Sequence, residues 1–194
     1  MDFISLNAAI SLTGLSRRTL WRRIADGALR TEGKSFGTLH AYASQVGGGQ
    51  TRVALDDVLT LSPLRLEPED RVLIVEADAG DAAAQCDLGL VLLGQGRPAD
   101  AMNWFEQSAR LECLEGMHWL GRCLIAGQGV TADERRGIDW IARAANHGHA
   151  TARAMMPYLY DPARPALGPA DLDAELDRIE RKVVLDALEA SVGP

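Results

Sequence analysis

The chain has 194 residues and a formal net charge of −7, with 27 acidic residues against 20 basic ones. Such an acidic protein is poorly suited to coating DNA nonspecifically, because the phosphate backbone repels net negative charge. The charge is uneven: residues 1–60 contain seven basic and five acidic residues, and the remainder contains 13 and 22. Any contact with nucleic acid is therefore expected to be local and made by the amino-terminal part.

The sequence contains no apolar run of about 18 residues, so we expect no membrane-crossing helix. The first residues carry an acid where a secretory signal needs positive charge, and a cytoplasmic location is therefore expected. Three cysteines occur, Cys86, Cys113 and Cys123, and the last two lie within helical patterns. We expect buried, reduced thiols, which fits a reducing compartment.

Near the amino terminus the sequence predicts two short helices joined by a tight turn. Four apolar residues recur every three positions and would share one helix face: Leu6, Ala9, Leu12 and Leu15. This first helix is expected to end at Thr13 or Gly14, where glycine permits the positive φ of a sharp turn. Ser16 is placed to cap the second helix and Gly27 to end it.

The second helix has one apolar side and one basic side. Leu20 and Ile24 share a face that should pack on the first helix, and Trp21 lies at its edge. The opposite side is basic and carries Arg17, Arg18 and Arg22. An exposed charge cluster is usually a solvated face, but surface helices normally mix both signs, and residues 3–25 contain no acid. The other interpretation is a helix that presents side chains to a DNA groove.

These segments resemble the winged helix-turn-helix of the MerR and phage excisionase families, from Leu6 to about Leu59. The residues that carry the resemblance are AAISLTGLS, SRRTLWRRIADGAL and TRVALDDVL, in which an arginine, a strand and an acidic pair open a third helix. The resemblance implies a bacterial protein that binds double-stranded DNA. Two features depart from it: Arg23 replaces the usual aromatic residue, and the wing is long, from roughly Leu29 to Val53.

The same resemblance implies which side chains contact DNA. Helix residues would lie at the major groove or its phosphates, and wing residues at the backbone or minor groove. The candidate DNA-binding residues are Ser16, Arg17, Arg18, Thr19, Trp21, Arg22 and Arg23 on the helix, with Lys34 and Arg52 on the wing. One such module makes few contacts, so a homodimer on two half-sites is expected.

A helical repeat is visible beyond residue 70. The pair LG at residue 88 and the pair QG at residue 95 return 32 and 33 residues later, and Trp104 returns as Trp140. Periods of this length predict an α-solenoid, in which stacked helical pairs bury each other's apolar faces. Leu88, Trp104, Leu120 and Trp140 should fill the spaces between helices. The predicted helices span residues 69–79, 81–93, 98–110, 113–126, 133–147 and 149–160.

The repeated pattern is A-x-x-G-x-x-x-A, then L-G, then G-x-G, then an alanine-rich helix with a tryptophan. It resembles the Sel-like repeat, a relative of the tetratricopeptide repeat, over about Asp70 to Met156, with GQGVTADERRGIDWIARAANHG as the closest stretch. The first repeat departs from the pattern with a shortened GQGRPAD, and the third stops at Pro157. The resemblance implies a concave surface that binds an unidentified protein.

The carboxyl-terminal part is predicted to contain an extended connection and one amphipathic helix. Residues 161–173 include three prolines, which favour the connection. A narrow apolar stripe follows at steps of four, three and four: Leu172, Leu176, Ile179 and Val183. The helix either caps the open end of the solenoid or pairs with a second copy, and the need of terminal repeats for a cover favours the cap.

No pattern in the sequence is typical of catalysis, a cofactor or a metal. His147 and His149 flank Gly148, which is more typical of a turn than of a metal pair. Cys113 and Cys123 lack the close partners of a zinc site, and no nucleotide-binding or hydrolase motif occurs. We therefore expect a protein that is not an enzyme and needs no cofactor or metal.

Two functions from different classes stay open. The first is a DNA-binding transcription regulator or DNA-bound adaptor, associated with the nucleoid, that also engages a protein through its repeats. The second is a protein–protein interaction scaffold with no DNA binding. The predicted fold is mainly α: a winged helix-turn-helix with a short β wing at 1–60, a linker at 61–69, an α-solenoid of about two and a half helical-pair repeats at 70–160, and the connection with its helix at 161–194.

Overall fold

The computed structural model describes residues 1–32 and 51–192. The chain divides into two compact units, Met1–Gly80 and Asp81–Pro194. The described residues are mainly helical with one small two-stranded sheet, which confirms the predicted fold class. Most of the predicted wing, with Lys34, lies outside the described residues. None of the described helices has the length and apolar character needed to span a bilayer.

The first unit builds a small core around an antiparallel pair of strands. Its described elements are β1 (Phe3–Ser5), α1 (Leu6–Thr13), α2 (Arg17–Ala25), β2 (Arg52–Ala54), α3 (Leu55–Leu61) and α4 (Asp70–Ala79). Ile4 pairs with Val53 across the sheet, and both side chains are fully buried. Leu12 of α1 and Leu20 of α2 join this core, as their predicted faces require. Beyond the strands, Thr31 forms an isolated bridge to Val53.

The turn between α1 and α2 has the predicted geometry. Gly14 ends α1 at φ 69°, a left-handed conformation that glycine adopts without the steric penalty of a Cβ. The Ser16 hydroxyl accepts the backbone N–H of Thr19 at 3.1 Å and so caps α2. Gly27 follows α2 at φ 75°. The caps and the turn, which set the direction in which α2 emerges, are therefore confirmed.

Helix α4 belongs to the first unit, although it was predicted to be part of the repeats. It packs against β1, and Arg71 pairs with Asp2 at 2.8 Å and with Asp56 at 2.6 Å. Near its other end, Asp78 accepts hydrogen bonds from the Ser5 N–H at 3.0 Å and from Arg52 at 3.1 Å. These pairings explain the placement, because the charged partners of α4, Asp2, Arg52 and Asp56, all belong to the first unit.

The second unit is a stack of helices in which each packs on the next. They are α5 (Ala82–Gly94), α6 (Pro98–Arg110), α7 (Leu114–Ala126), α8 (Glu134–Asn146), α9 (Ala150–Leu159) and α10 (Pro169–Val192). The ends of α5 to α9 agree with the sequence prediction to within one residue. Helical periodicity and the glycines between helices therefore suffice to place these elements.

Glycine allows α7 and α8 to cross at close range. A Cβ added at Gly121 would lie 2.7 Å from Ile141 Cγ1 and 2.8 Å from the carbonyl oxygen of Gly137. Conversely, a Cβ at Gly137 would lie 2.7 Å from the carbonyl oxygen of Gly121. Leu88, Trp104 and Leu120 are buried as predicted, but Trp140 is only half-buried and carries the Arg143 guanidinium 4.3 Å above its ring.

The three cysteines are free thiols. Cys86 and Cys123 are buried, and burial raises the pKa of both, to about 12 for Cys123. Cys113 is partly exposed and stands at the N-cap of α7 rather than within the helix. The expectation of buried thiols therefore holds for two of the three.

Candidate functional site

Two groups of charged side chains stand out, one in each unit. The first, the basic face, consists of Arg17, Arg18 and Arg22 on α2. The second, the arginine clamp, consists of Arg122 on α7 with Asp173, Asp177 and Glu180 on α10. They differ in exposure and in the number of carboxylates that surround each guanidinium.

The basic face is open to solvent. All three of its arginines are exposed, and the Ser16 cap and the Gly14 turn fix the helix that carries them. Arg17 donates a hydrogen bond to Asn7 Oδ1 at 2.7 Å. The side chains of Arg18 and Arg22 form no hydrogen bond or ion pair with any residue that the structure describes. This face therefore carries positive charge that no described carboxylate neutralises.

Other arginines of the same unit are paired. Arg30 holds Asp57 at 2.6 Å, and its hydrogen bonds keep the pKa of that carboxyl below the usual value. Arg52 reaches Asp78 at 3.1 Å and Glu32 at 3.6 Å. Arg52, a predicted DNA contact, thus uses its guanidinium to hold the sheet to α4.

The remaining candidate DNA-binding residues on the helix lie at the N-cap of α2 or within it. Ser16 and Thr19 form its N-cap, with their hydroxyl oxygens 2.9 Å apart. Trp21 is half-buried, as its predicted place at the edge of the apolar face requires. Arg23 is also half-buried, and its Nε has no hydrogen-bond partner among the described residues. It thus differs from the three exposed arginines of the basic face.

The arginine clamp joins α7 to α10. The Arg122 side chain is only 4% exposed. Its Nε donates to Asp173 at 2.9 Å and its Nη1 to Glu180 at 2.8 Å, while Nη2 donates to Asp173 and Asp177. Burial alone would lower the pKa of Arg122, but the hydrogen bonds to Asp177 and Asp173 outweigh it and raise the pKa. The guanidinium is therefore fully charged and surrounded by three carboxylates.

The clamp was not predicted from the sequence, although two signals in the sequence point to it. Arg122 is a charged residue in an otherwise mostly apolar helix, which predicts a buried charge with a partner. Asp173, Asp177 and Glu180 recur at steps of four and three beside the apolar stripe of α10, so they share one helix face.

A pair of stacked histidine rings lies next to the clamp. The His118 and His149 ring centroids are 4.6 Å apart. His149 Nδ1 accepts the Ala152 N–H at 3.1 Å as the N-cap of α9, so its Nε2 carries the proton and donates to Glu115 at 2.7 Å. Burial lowers the pKa of His118 to about 3, with contributions from His149 and Arg122. His118 is therefore neutral at physiological pH.

His147 and His149 close α8 and open α9, which confirms that this pair belongs to a turn. Within residues 1–32 and 51–192, no three His, Cys, Asp or Glu residues are arranged to hold a metal ion.

A cavity of about 460 Å³ adjoins the clamp within the second unit. Its walls come from the end of α5, the start of α6, α7, the loop after α7, and α10. Leu93, Pro98 and Trp119 form an apolar wall, whereas Gln128, Asp173 and Asp177 provide polar groups. Trp119 is fixed by a hydrogen bond from its Nε1 to Glu115 at 3.0 Å.

A scan against protein-family models matches the Sel1 repeat at residues 82–113 and again at 114–149. The first match contains α5 and α6 and the second contains α7 and α8, so each repeat is one helical pair. This confirms the Sel-like resemblance for these residues, and Sel1 repeats imply protein–protein interaction. Searches of curated proteins and of solved structures returned no match.

Proposed function

We propose that this chain is a DNA-binding transcription regulator, or a DNA-bound adaptor, that contacts double-stranded DNA through its basic face and a protein through its repeats. The observation that carries the proposal is the exposure of Arg18 and Arg22 without a described carboxylate partner. Both lie on a capped helix that follows a tight glycine turn, which is a common way to present side chains to a groove.

The charges elsewhere in the first unit support this proposal. Four of the ten acids in this unit, Asp2, Asp56, Asp57 and Asp78, are held by Arg30, Arg52 and Arg71. These acids therefore do not neutralise the basic face, and phosphate groups would supply the missing negative charge. Release of the counterions condensed on DNA would add to the free energy of binding.

The proposal assigns different roles to the candidate residues. Arg17, Arg18 and Arg22 contact phosphates or base edges, Ser16 and Thr19 fix the start of the helix, and Trp21 and Arg23 flank the contact. Arg52 holds the sheet in place. A homodimer would place two such helices on two half-sites. On this proposal the protein is not an enzyme, needs no cofactor, and lies in the bacterial cytoplasm at the nucleoid when DNA is bound.

The test is DNA binding at several salt concentrations, with a pool of random-sequence duplexes as the probe. The variant Arg18→Ala with Arg22→Ala should bind more weakly, and its log–log salt slope should be smaller by about 2, because two phosphate contacts are lost. The matched control is Arg135→Ala with Arg136→Ala, which removes the same charge from exposed positions on α8. Equal slopes for the parent and both variants would exclude the basic face as the DNA contact.

A second candidate function is a protein-interaction scaffold that does not bind DNA. The two Sel1 repeats favour it, as does the acidic second unit, with 17 acidic and 11 basic residues. Affinity capture from lysate with and without nuclease separates the two functions. Partners that persist after nuclease treatment, with no shift of DNA fragments by the purified chain, would favour the scaffold.

A further inference from the structure

Helix α10 is attached to the second unit mainly by its first half. Leu172 and Leu176 are 1% and 0% exposed, and the three clamp carboxylates lie between residues 173 and 180. Beyond this segment Val183 is half-buried, and three apolar residues face solvent: Val184 is 51% exposed, Leu185 58% and Leu188 56%. A short segment, residues 172–180, therefore holds a helix of 24 residues.

The position of α10 differs from that of a further repeat helix. The second helix of each pair packs on the first helices before and after it, so α6 packs on α5 and α7, and α8 on α7 and α9. Helix α10 instead packs on α9 and returns to α7, the two first helices that α8 already contacts, so it lies against a second side of this pair. It therefore covers the side formed by α7 and α9, here called the α7/α9 face, rather than extending the stack.

The contact between α10 and α7 requires particular side chains on the covering helix and not only apolar surface. A buried ion pair contributes little net stability compared with an apolar contact of the same size, but a buried guanidinium without carboxylates is strongly unfavourable. Whatever segment covers Arg122 must therefore supply carboxylates at the right spacing. Leu172 and Leu176 show that the same segment must also supply an apolar stripe.

The covered face also has unused space. The cavity of about 460 Å³ beside the clamp has an apolar wall of Leu93, Pro98 and Trp119, and from α10 only Asp173 and Asp177 line it. A different helix with a larger apolar side chain at this point would bury additional area. Residues 161–168, which connect α9 to α10, are mostly exposed, so few buried contacts of this connection oppose the detachment of α10.

We propose that the α7/α9 face is the partner-binding surface of the repeats and that α10 occupies it when no partner is bound. The partner that this surface fits is an acidic amphipathic helix, which carries carboxylates for Arg122 beside a leucine stripe and displaces α10. The inference rests on the proposed function only in taking a polypeptide as the ligand of the repeats.

The test uses the full chain and a fluorescent synthetic peptide of residues 169–183 as the probe, with binding measured by anisotropy. In the parent chain the attached α10 competes at high effective concentration, so the peptide should bind weakly. The loosened chain, Leu172→Ala with Leu176→Ala, should bind the peptide at least about tenfold more tightly, because a larger fraction of molecules has the face open. The matched control, Leu185→Ala with Leu188→Ala in the exposed half, should bind as weakly as the parent.

Two further measurements test the clamp chemistry. Adding Arg122→Gln to the loosened chain should weaken peptide binding at least about tenfold, and so should a peptide carrying D173N, D177N and E180Q. The inference is overturned if the loosened chain keeps its helical circular dichroism but binds the peptide no better than the parent. It is equally overturned if the uncharged peptide binds as well as the acidic one.

If the loosened chain fails to fold, Asp173→Asn with Asp177→Asn and Glu180→Gln in the chain replaces it, since both leucines then stay in place. For that variant too, the inference is overturned if the chain stays helical but binds the peptide no better than the parent. It is equally overturned if the uncharged peptide binds as well as the acidic one. DNA binding is measured on every chain in parallel. Intact DNA binding without a gain in peptide binding would overturn this inference alone, whereas equal salt slopes for the basic-face variants would overturn the proposed function alone.

Discussion

The basic face and the arginine clamp place the same side chain in opposite environments. Arg18 and Arg22 are exposed and unpaired among the described residues, whereas Arg122 is 4% exposed and bound by three carboxylates. An arginine of the first kind is available to an outside anion without rearrangement. One of the second kind becomes available only when the helix that covers it leaves. Burial and pairing, rather than residue type, thus separate a ready binding surface from a covered one.

The largest expected effect is on stability at the clamp. Arg122→Ala removes the only basic group of the clamp and leaves three carboxylates together, so the second unit should lose about 3 kcal/mol in free energy of unfolding. Arg18→Ala should change stability by less than about 0.5 kcal/mol, because its side chain is exposed. Urea denaturation followed by tryptophan fluorescence measures both, since three of the four tryptophans lie in the second unit. If the two variants lost similar free energy of unfolding, burial and pairing would not distinguish the arginine clamp from the basic face.

A second prediction concerns the packing that positions α7 and hence Arg122. Gly121→Ala would place a Cβ 2.8 Å from the Gly137 carbonyl oxygen, so α7 and α8 must separate, at a cost of about 2 kcal/mol. Gly94→Ala is the control, because a Cβ there meets no atom within 4 Å. The measurement is again urea denaturation. A Gly121→Ala chain as stable as the control chain would show that close approach at this crossing is unimportant.

The buried histidine beside the clamp should make the second unit sensitive to pH. The pKa of His118 is about 3 in the folded chain against 6.5 for an ordinary histidine, so between these values the unfolded chain binds the extra proton. The free energy of unfolding is therefore largest well above pH 6.5. It falls as the pH drops towards 3, by about 2 kcal/mol between pH 7 and pH 5.

Unfolding of the parent and of His118→Phe at pH 7 and pH 5 measures this contribution, which the variant should lose. The basic-face variant Arg18→Ala with Arg22→Ala should keep the full pH dependence, because arginine does not titrate in this range. If His118→Phe kept it as well, the pH response would have to come from other groups.

The smallest expected effect separates folding from DNA binding on α2. Ser16→Ala removes the N-cap and should cost the first unit about 1 kcal/mol. Ser16→Asp keeps a capping side chain and so should keep stability, but its carboxylate lies next to the basic face and should weaken DNA binding. Thermal unfolding and DNA titration of the two variants give the comparison. If the Ser16→Asp chain bound DNA as tightly as the parent, a phosphate contact near this end of the helix would be ruled out.

The elements that the sequence predicts well are those whose signals are local. The end of α1 at Gly14, the caps of α2 and the ends of α5 to α9 follow from periodicity over a few residues and from glycines between helices. The three-residue strand β1 was not predicted, because so short a segment has no measurable period and depends on its pairing with β2, about 50 residues away.

The charged contacts were predicted less well because their partners are distant in sequence. Arg122 and Asp173 are 51 residues apart, and only the fold brings them together. The predicted stripe of α10 is fully buried at Leu172 and Leu176 and half-buried at Ile179 and Val183. It did not predict that the helix would rest on α7 as well as α9. The candidate DNA contacts lie on one helix, so the sequence could group them, and their role stays a prediction.

The unequal burial of the three thiols has a practical consequence. A thiol reacts with maleimides and with peroxide as its thiolate, and at neutral pH Cys123, with a pKa of about 12, contains almost none. Cys86 is buried and similarly inert, so Cys113, partly exposed at the start of α7, is the position where alkylation should occur first. A spectroscopic label attached there would report on the helix that carries Arg122 without any engineered cysteine.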